Sequence, residues 1–234
     1  MKIVAISDLH GHIPQVPACD VLCICGDILP LDIQRRSIDS AAWLASVFYP
    51  WANSRDCKHV VYIPGNHDFM LEQYLKNHPC EEAAWTFDSD NSANSKVHLL
   101  YNQMIELDGV KFYGTPVCPD LKNWAFYRDS LMLKDEFDKI PFGIDVLLTH
   151  CPPKTHDMGK VLQKKTFNEG ADYGCEILHQ RLMRKPVKQL VLCGHVHSGN
   201  HKIQYVDEYG CRVVNCSLKD EDYKVKYEPI EIEI

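Results

Sequence analysis

Five short polar motifs contain side-chain types that bind transition-metal ions, and each follows an apolar run typical of a β-strand. The motifs are Asp8-Leu9-His10, Gly26-Asp27, Gly65-Asn66-His67-Asp68, Thr149-His150 and Gly194-His195-Val196-His197. Together they supply two carboxylates, one amide and four imidazoles as candidate ligands, and His67 is a further imidazole. Two metal ions that share one carboxylate need about this inventory, and such a pair is suited to the hydrolysis of a phosphate ester.

The spacing within the motifs predicts that their side chains converge. Residues i and i+2 of an extended chain point to the same side, so we expect Asp8 and His10 to face one point. The same argument applies to His195 and His197. The other candidate ligands hold the same place after their own strands: Asp27, Asn66 and His150. Because open α/β sheets place ligand sites just beyond the carboxyl ends of strands, we expect all of these side chains to meet at one edge.

A glycine precedes three of the motifs, at Gly26, Gly65 and Gly194. This position fits a backbone that needs a positive φ or a close approach to another group. Each motif alone is also compatible with an ordinary polar strand end. The presence of all five in this order favours a common site.

The elements that position the motifs alternate along the chain. Three apolar runs in the first third predict strands: Lys2–Ser7, Asp20–Cys25 and His59–Ile63. A helical spacing lies between the second and third runs: Ala41, Leu44, Ala45 and Phe48. Met70–Lys76 is read as a short helix, and the polar segment Asp88–Ser95 as a surface loop. This order predicts an α/β core with parallel pairing.

The second half continues the pattern of strands and helices. Asp108-Gly109 between two apolar runs predicts a hairpin of Met104–Leu107 and Val110–Gly114. Two further buried strands are expected, with one helix between them: Val146–Thr149, Tyr173–Met183 and Leu190–Cys193. A second hairpin and an alternating tail complete the chain: Ile203–Val206 with Cys211–Cys216, then Val225–Tyr227 and Ile230–Ile234.

Composition narrows the class of protein. We expect residues 1–234 to form a single domain, because 234 residues are an ordinary domain size. The formal net charge of -7 argues against binding of an extended nucleic acid, which needs clustered Lys and Arg.

No apolar run approaches the roughly 18 residues of a membrane span. The apolar residues Met1–Ile6 predict a first strand and not a signal peptide. The 11 cysteines without a CxxC pair are expected to be reduced thiols of a cytoplasmic protein.

The motif order resembles the calcineurin-like metallophosphoesterase superfamily, whose pattern is D-x-H, G-D, G-N-H-[DE], H and G-H-x-H. The resemblance extends from Lys2 to about Cys216. It implies a four-layer α/β/β/α sandwich with two mixed sheets flanked by helices. Three additional segments resemble the metallophosphoesterase-domain phosphodiesterase branch: Gly114-Thr115-Pro116, Asn123-Trp124-Ala125-Phe126 and Thr149-His150-Cys151-Pro152-Pro153.

The resemblance also implies which residues bind the two ions. One ion would be bound by Asp8, His10, Asp27 and His197. The other would be bound by Asp27, Asn66, His150 and His195, so that Asp27 bridges the pair. Mixed imidazole and oxygen donors suit divalent transition metals, and Mn, Fe and Zn are common in this superfamily.

The implied reaction is attack of a metal-bridging hydroxide on phosphorus, with His67 as the general acid that protonates the leaving oxygen. Asn66, His67 and His12 are the candidates for contact with the substrate. In many relatives an Asp three residues after the bridging one orients this histidine, but Pro30 occupies that position here. Asp32 and Asp68 are the two candidates to replace it.

A small phosphate ester is the expected partner, and its class stays open at this point. A phosphodiester is the first choice from the branch resemblance, and a phosphomonoester is the alternative because the same core serves both. A protein of this fold can also be a non-catalytic binding scaffold, since fold does not determine function. A scaffold is expected to lose ligands, whereas every ligand and His67 are present here.

Overall fold

A computed structural model describes residues 1–77 and 96–234 of the chain. Two mixed β-sheets pack face to face, and helices cover the outer face of each sheet. The fold is therefore the four-layer α/β/β/α sandwich that the sequence predicts. The loop expected at Asp88–Ser95 lies outside the described residues. Within the described residues, every helix is too short or too polar to traverse a lipid bilayer.

The strands in chain order are β1 (Lys2–Ile6), β2 (Cys19–Cys25), β3 (Cys57–Ile63), β4 (Val97–Leu99), β5 (Gln103–Leu107), β6 (Val110–Thr115), β7 (Val146–Thr149), β8 (Leu190–Cys193), β9 (Gln204–Val206), β10 (Cys211–Asn215) and β11 (Ile230–Glu233). The first sheet has the order β11-β1-β2-β3-β4, and the second has the order β5-β6-β7-β8-β10-β9. Strands β1 to β4 are parallel, as are β6, β7, β8 and β10, whereas β5, β9 and β11 pair antiparallel with their neighbours.

The helices are α1 (Ser37–Trp43), α2 (Tyr49–Asn53), α3 (Phe69–Asn77), α4 (Ser130–Asp138) and α5 (Glu176–Arg184). A π-helical stretch, Leu44–Phe48, joins α1 to α2. Pro50 lies in the first turn of α2, where a missing N–H is tolerated, so the helix continues beyond it.

The apolar runs become strands because both faces of each sheet are covered. In β2, Val21, Cys23 and Cys25 pack between the two sheets, while Leu22 and Ile24 pack against the helical layer. Successive residues of a strand point to opposite faces, so a strand buried on both sides needs a continuous apolar run. Each large apolar side chain buried in this way contributes roughly 1.5–3 kcal/mol to stability. The central strands are therefore a rigid support for the loops that follow them.

Most of the predicted elements are confirmed, and the differences have local causes. The α5 helix begins at Glu176 and not at Tyr173, because the Cys175 thiol caps it by accepting from the Leu178 amide. Val225–Tyr227 forms no strand, since the amides of Lys226 and Tyr227 both donate to one carbonyl group, that of Leu218.

Two elements were not predicted from the sequence, strand β4 and helix α4. Helix α4 has a normal start, at which the Asp129 carboxylate accepts from the Met132 amide. Its Leu131 and Met132 side chains are exposed, however, and they obscure the apolar spacing by which such a helix is recognised.

Candidate metal centre

The five motifs meet at one edge of the sandwich, as the strand ends predict. Parallel strands β1, β2, β3, β7 and β8 all point their carboxyl ends to this edge. Three backbone hydrogen bonds link the loops that follow them. The amides of Asp8 and His10 donate to the carbonyl oxygens of Gly26 and Asp27 at 3.0 and 2.8 Å. The Gly194 amide donates to the His150 carbonyl oxygen at 3.0 Å.

Asp8 and His10 do converge, but not through the extended backbone expected from their spacing. Their φ angles are 56° and 44°, in the left-handed region, and Asp27 (54°) and His195 (70°) are in the same region. Such a conformation is uncommon outside glycine and costs roughly 1–3 kcal/mol per residue. The surrounding hydrogen bonds therefore hold these residues in positions that an isolated chain would not adopt.

The glycines before the motifs serve two different purposes. Gly26 has a φ of 101°, which L side chains rarely adopt. Gly65 and Gly194 need no positive φ but allow close approach. A Cβ atom at Gly65 would collide with the Asp27 carboxylate, and one at Gly194 would collide with the side chains of Ser7 and Asp8.

The first group of candidate ligands comprises Asp8, His10 and His197, whose donor atoms lie within 4.8 Å of one another. His10 Nε2 is 3.3 Å from His197 Nε2, and His197 Nε2 is 3.5 Å from Asp8 Oδ1. All three side chains are at least nine-tenths buried. The carboxylate is also positioned by the His195 amide, which donates to both of its oxygens at 3.1 Å.

The second group comprises Asp27, Asn66 and His150. His150 Nε2 is 2.9 Å from Asn66 Oδ1 and 3.4 Å from Asp27 Oδ2. Asp27 Oδ2 also lies 3.7 Å from His10 Nε2, so this carboxylate faces both groups. The His195 ring centroid is 5.1 Å from that of His150. All seven predicted ligands are thus brought together, and their role as ligands stays a prediction.

Two of the imidazole rings are oriented by backbone carbonyl groups. His150 Nδ1 donates to the Cys25 carbonyl oxygen at 2.7 Å, and His197 Nδ1 donates to the Asp220 carbonyl oxygen at 2.9 Å. This leaves Nε2 of both rings facing the carboxylates. Metal-binding histidines are held by the same kind of contact, which fixes the tautomer and the direction of the free nitrogen.

Burial and neighbouring charges shift the pKa values of the histidines and carboxylates at this edge in different directions. Burial lowers the pKa of His10 to about 3. Burial opposes the charge of His150 too, but the carboxylate of Asp27 outweighs it and raises that pKa to about 9. Asp27 is buried, which disfavours its charge, yet His150 and His67 hold its pKa well below the usual range. The edge therefore keeps a buried negative charge that requires a positive partner.

Asp68 joins the two loops that carry Asp27 and Asn66. Its buried carboxylate accepts from the amides of Ile28 at 3.0 Å, Leu29 at 2.9 Å and Gly65 at 2.7 Å. Burial, followed by the charge of Asp27, raises the pKa of Asp68 to about 7. The side chain is thus a structural support, and its oxygens are fully engaged by backbone groups.

His67 has a different partner from the two proposed on the sequence. Its Nδ1 contacts Oε1 of Gln34, while Asp32 is exposed and Asp68 is engaged elsewhere. Both Asp32 and Asp68 are therefore wrong as orienting residues. Nε2 of His67 faces the centre, 3.9 Å from Asp27 Oδ2, and the ring packs 4.4 Å from that of Trp124. Gln34 carried no motif signal, because its contact with His67 depends on the fold of the loop after Asp27.

An open cavity of about 400 Å³ lies in front of this edge. Asp27, Asn66 and His67 line it, together with the aromatic side chains of Trp124 and Tyr223. The sequence does not single out Tyr223, yet its ring lies edge-on at 5.0 Å from His10 and 4.8 Å from His197. His12 is not among the described residues that line this cavity, so its contact with a substrate stays a prediction.

The residues present fit the binding of divalent metal ions. Two imidazole nitrogens face each other at 3.3 Å within a buried cluster, an arrangement that a shared cation would explain. Two carboxylates lie within reach of those imidazoles, and the rear nitrogens of two rings are already bound to carbonyl groups. This donor set suits Mn, Fe or Zn better than an all-oxygen ion such as Mg or Ca. The Cys118 thiol, outside the motifs, also lies within 4.8 Å of donor atoms of His150 and His195.

A sandwich with acidic and imidazole side chains gathered at its strand ends is typical of metal-dependent phosphoesterases. A family model described as calcineurin-like phosphoesterase matches residues 1–199. The chain belongs to the calcineurin-like phosphoesterase family.

Three similar proteins show the range of relatives. The UPF0046 protein T07D4.2 of Caenorhabditis elegans is 29% identical over 262 residues, which cover 100% of this chain and 60% of that protein. Metallophosphoesterase domain-containing protein 1 of Homo sapiens is 25% identical over 250 residues, covering 100% of this chain and 71% of the relative. The probable rhamnogalacturonate lyase C of Emericella nidulans is 25% identical over 216 residues, covering 86% of this chain and only 18% of its own length. Two of these relatives are thus considerably longer than the matched region.

Proposed function

We propose that the protein hydrolyses phosphodiesters at a centre of two divalent transition-metal ions. The observation that supports this most directly is the position of Asp27. Its carboxylate lies 3.7 Å from His10 in one ligand group and 3.4 Å from His150 in the other. A carboxylate shared in this way is what a two-metal site requires.

We assign the residues to the two ions as the family resemblance implies. Asp8, His10, Asp27 and His197 would bind one ion. Asp27, Asn66, His150 and His195 would bind the other. When bound, Mn, Fe or Zn ions of such a pair supply a nucleophile at neutral pH and charge to stabilise the phosphoryl oxygens.

The side chains of the chain itself contribute binding and proton transfer. His67 Nε2 faces the cavity, and we assign it the proton that the leaving oxygen receives. Gln34 at Nδ1 and Trp124 against the ring keep this imidazole in one orientation. The aromatic rings of Trp124 and Tyr223 line the cavity beside the candidate ligands.

Charge favours a diester over a monoester as the substrate. A phosphomonoester carries up to two negative charges near neutral pH, and a diester carries one. The described residues that line the cavity include the acidic Glu221 and no Lys or Arg. The name of the human relative, a metallophosphoesterase domain-containing protein, agrees with phosphoester chemistry but does not specify the ester.

The proposal is tested by metal add-back to chelator-treated protein. Mn, Fe, Zn, Co, Ni or Mg is added singly, and hydrolysis of bis(nitrophenyl) phosphate is compared with that of nitrophenyl phosphate. We expect turnover only with metal and a higher kcat/KM for the diester. Preference for the monoester would replace the diester by a phosphatase reaction. Absence of both metal binding and turnover would favour a scaffold and contradict the proposal.

We expect His67→Ala to separate esters by their leaving groups. Removal of a general acid costs about 10²–10⁴-fold when the leaving oxygen needs a proton. A dialkyl phosphate ester should therefore lose this factor in kcat, while bis(nitrophenyl) phosphate, with a stable leaving anion, should lose at most a few-fold. His156→Ala is the matched control, because His156 is exposed and outside the cavity lining. An equal loss on both esters would show that His67 is not the acid.

A further inference from the structure

Two cysteines differ from the others in their exposure. The described part of the chain has ten free cysteines, and all of them are buried except Cys19 and Cys57, which are half-buried. These two lie at the starts of β2 and β3. The same strands lead at their other ends into the loops that contain Asp27 and Asn66, so the two thiols lie at the opposite end of the sheet from the candidate metal centre. Small oxidants in solution can reach them there.

The strand register places these two thiols side by side. Cys19 and Cys57 are direct partners in the parallel ladder between β2 and β3. Neighbouring strands are about 4.8 Å apart, and disulfides join Cα atoms that are about 4.4–6.8 Å apart. Contact between the two side chains is also the largest cause of the shift in the pKa of each thiol.

A positive charge lies at the backbone of one of the two cysteines. Lys96 Nζ donates to the Arg55 carbonyl oxygen at 2.6 Å and to the Cys57 carbonyl oxygen at 3.3 Å. Contact with Cys19, supported by the Lys96 charge against the effect of burial, lowers the pKa of Cys57 to about 7. The same contact raises the pKa of Cys19. Because Lys96 lies at the Cys57 side of the pair and a nearby positive charge favours the reactive thiolate form, we assign Cys57 as the nucleophile.

We propose that Cys19 and Cys57 form a peroxide-reactive dithiol that closes to a disulfide. The Cys57 thiolate attacks a peroxide oxygen, so that an S–O bond forms, the O–O bond breaks and the released hydroxide takes a proton to become water. Cys19 then attacks the sulfur of the Cys57 sulfenic acid, an S–S bond forms and a second water leaves with the proton of Cys19. In total, two thiols lose two electrons and one hydrogen peroxide is reduced to two waters.

The register explains why the pair can close without a large movement. Both residues belong to strands whose following residues are buried between packed layers, so the backbone positions are held by the core. A second pair of thiols, Cys25 and Cys216, shows the contrast. These two thiols also interact, but both are fully buried, and peroxide in solution has no access to them.

The test is peptide mapping after oxidation of the full chain. Protein treated with stoichiometric hydrogen peroxide is alkylated under denaturing conditions and digested. We expect a cross-linked peptide that contains Cys19 and Cys57 and that dithiothreitol separates. In Cys19→Ser the sulfenic acid at Cys57 should persist and react with dimedone, whereas Cys57→Ser should abolish both products. All of these variants also carry Cys80→Ser, because Cys80 lies outside the described residues and its thiol would complicate the peptide map.

Two outcomes would overturn the proposal. One is oxidation of other thiols while the Cys19–Cys57 peptide is absent. The other is dimedone labelling of Cys57 in Cys19→Ser that is no greater than that of buried Cys211. A measurement on the unmodified sequence guards against a variant that does not fold. Iodoacetamide should alkylate Cys57 in the native protein at least about tenfold faster than buried Cys23, and equal rates would contradict the assignment.

Discussion

Replacement of Asp27 by asparagine should lower kcat/KM by at least about 10³-fold and remove metal from both ligand groups. Asp27 Oδ2 lies 3.7 Å from His10 Nε2 and 3.4 Å from His150 Nε2, and the ionised form of this carboxylate is favoured by His150 and His67. Asparagine has nearly the same shape, and its amide oxygen can still accept from the His67 amide, which donates to Asp27 Oδ1 at 2.8 Å. The fold should therefore persist while the negative charge is lost.

The measurement combines metal content per chain with kcat/KM on bis(nitrophenyl) phosphate. Asp32→Asn is the matched control, since Asp32 is an exposed aspartate of the same loop and should retain full metal content and activity. Circular dichroism of both variants should match the unmodified protein. A folded Asp27→Asn protein that kept two ions and normal turnover would refute a bridging role for this carboxylate.

The central parallel strands could be predicted, because each one depends mainly on its own local sequence. Apolar runs with polar residues after them identify β1, β2, β3, β7 and β8, because strands buried on both faces need such runs. The edge at which these strands end then follows from parallel pairing. The motif order predicts the rest of the candidate site, because each candidate ligand lies in the loop that follows its own strand.

The supporting contacts could not be predicted, since they join residues that are distant in the chain. Gln34 reaches His67 across 33 positions, and no motif in the loop after Asp27 distinguishes Gln34 from Asp32. Tyr223 approaches His10 only because the turn at Asp220 returns to the metal edge, where the Asp220 carbonyl oxygen accepts from His197. Such contacts depend on the packing of both sheets and leave no periodic signal.

The backbone conformation of Asp8 and His10 also differs from the one that their spacing predicts. The spacing of Asp8 and His10 correctly predicts convergence, but alternation along an extended strand is the wrong reason. Both residues have left-handed φ angles, so the chain turns at this point while the two side chains approach the centre. Hydrogen bonds from their amides to the loop of Asp27 stabilise this conformation, and those bonds depend on a strand pairing that the motif alone does not specify.

Replacement of Asp68 by alanine should produce the largest loss of stability among these variants. Three buried amides, those of Ile28, Leu29 and Gly65, would lose their shared acceptor. Each unsatisfied buried group costs about 1–3 kcal/mol, so we expect the free energy of unfolding of the metal-free protein to fall by about 3–5 kcal/mol. Asp39→Ala, an exposed aspartate of α1, should change it by less than about 0.5 kcal/mol.

The same replacement should also weaken metal binding, because Asp68 fixes the distance between the loops of Asp27 and Asn66. Loss of a residue that orients ligands typically lowers metal affinity about 10–100-fold. Urea unfolding of the metal-free protein measures the first effect, and titration with Mn or Zn at a temperature where the variant is folded measures the second. Weakened metal binding with unchanged stability would mean that Asp68 acts on the ions by charge alone. Lost stability with normal metal binding would mean that the ligands themselves hold the two loops together once the ions are bound.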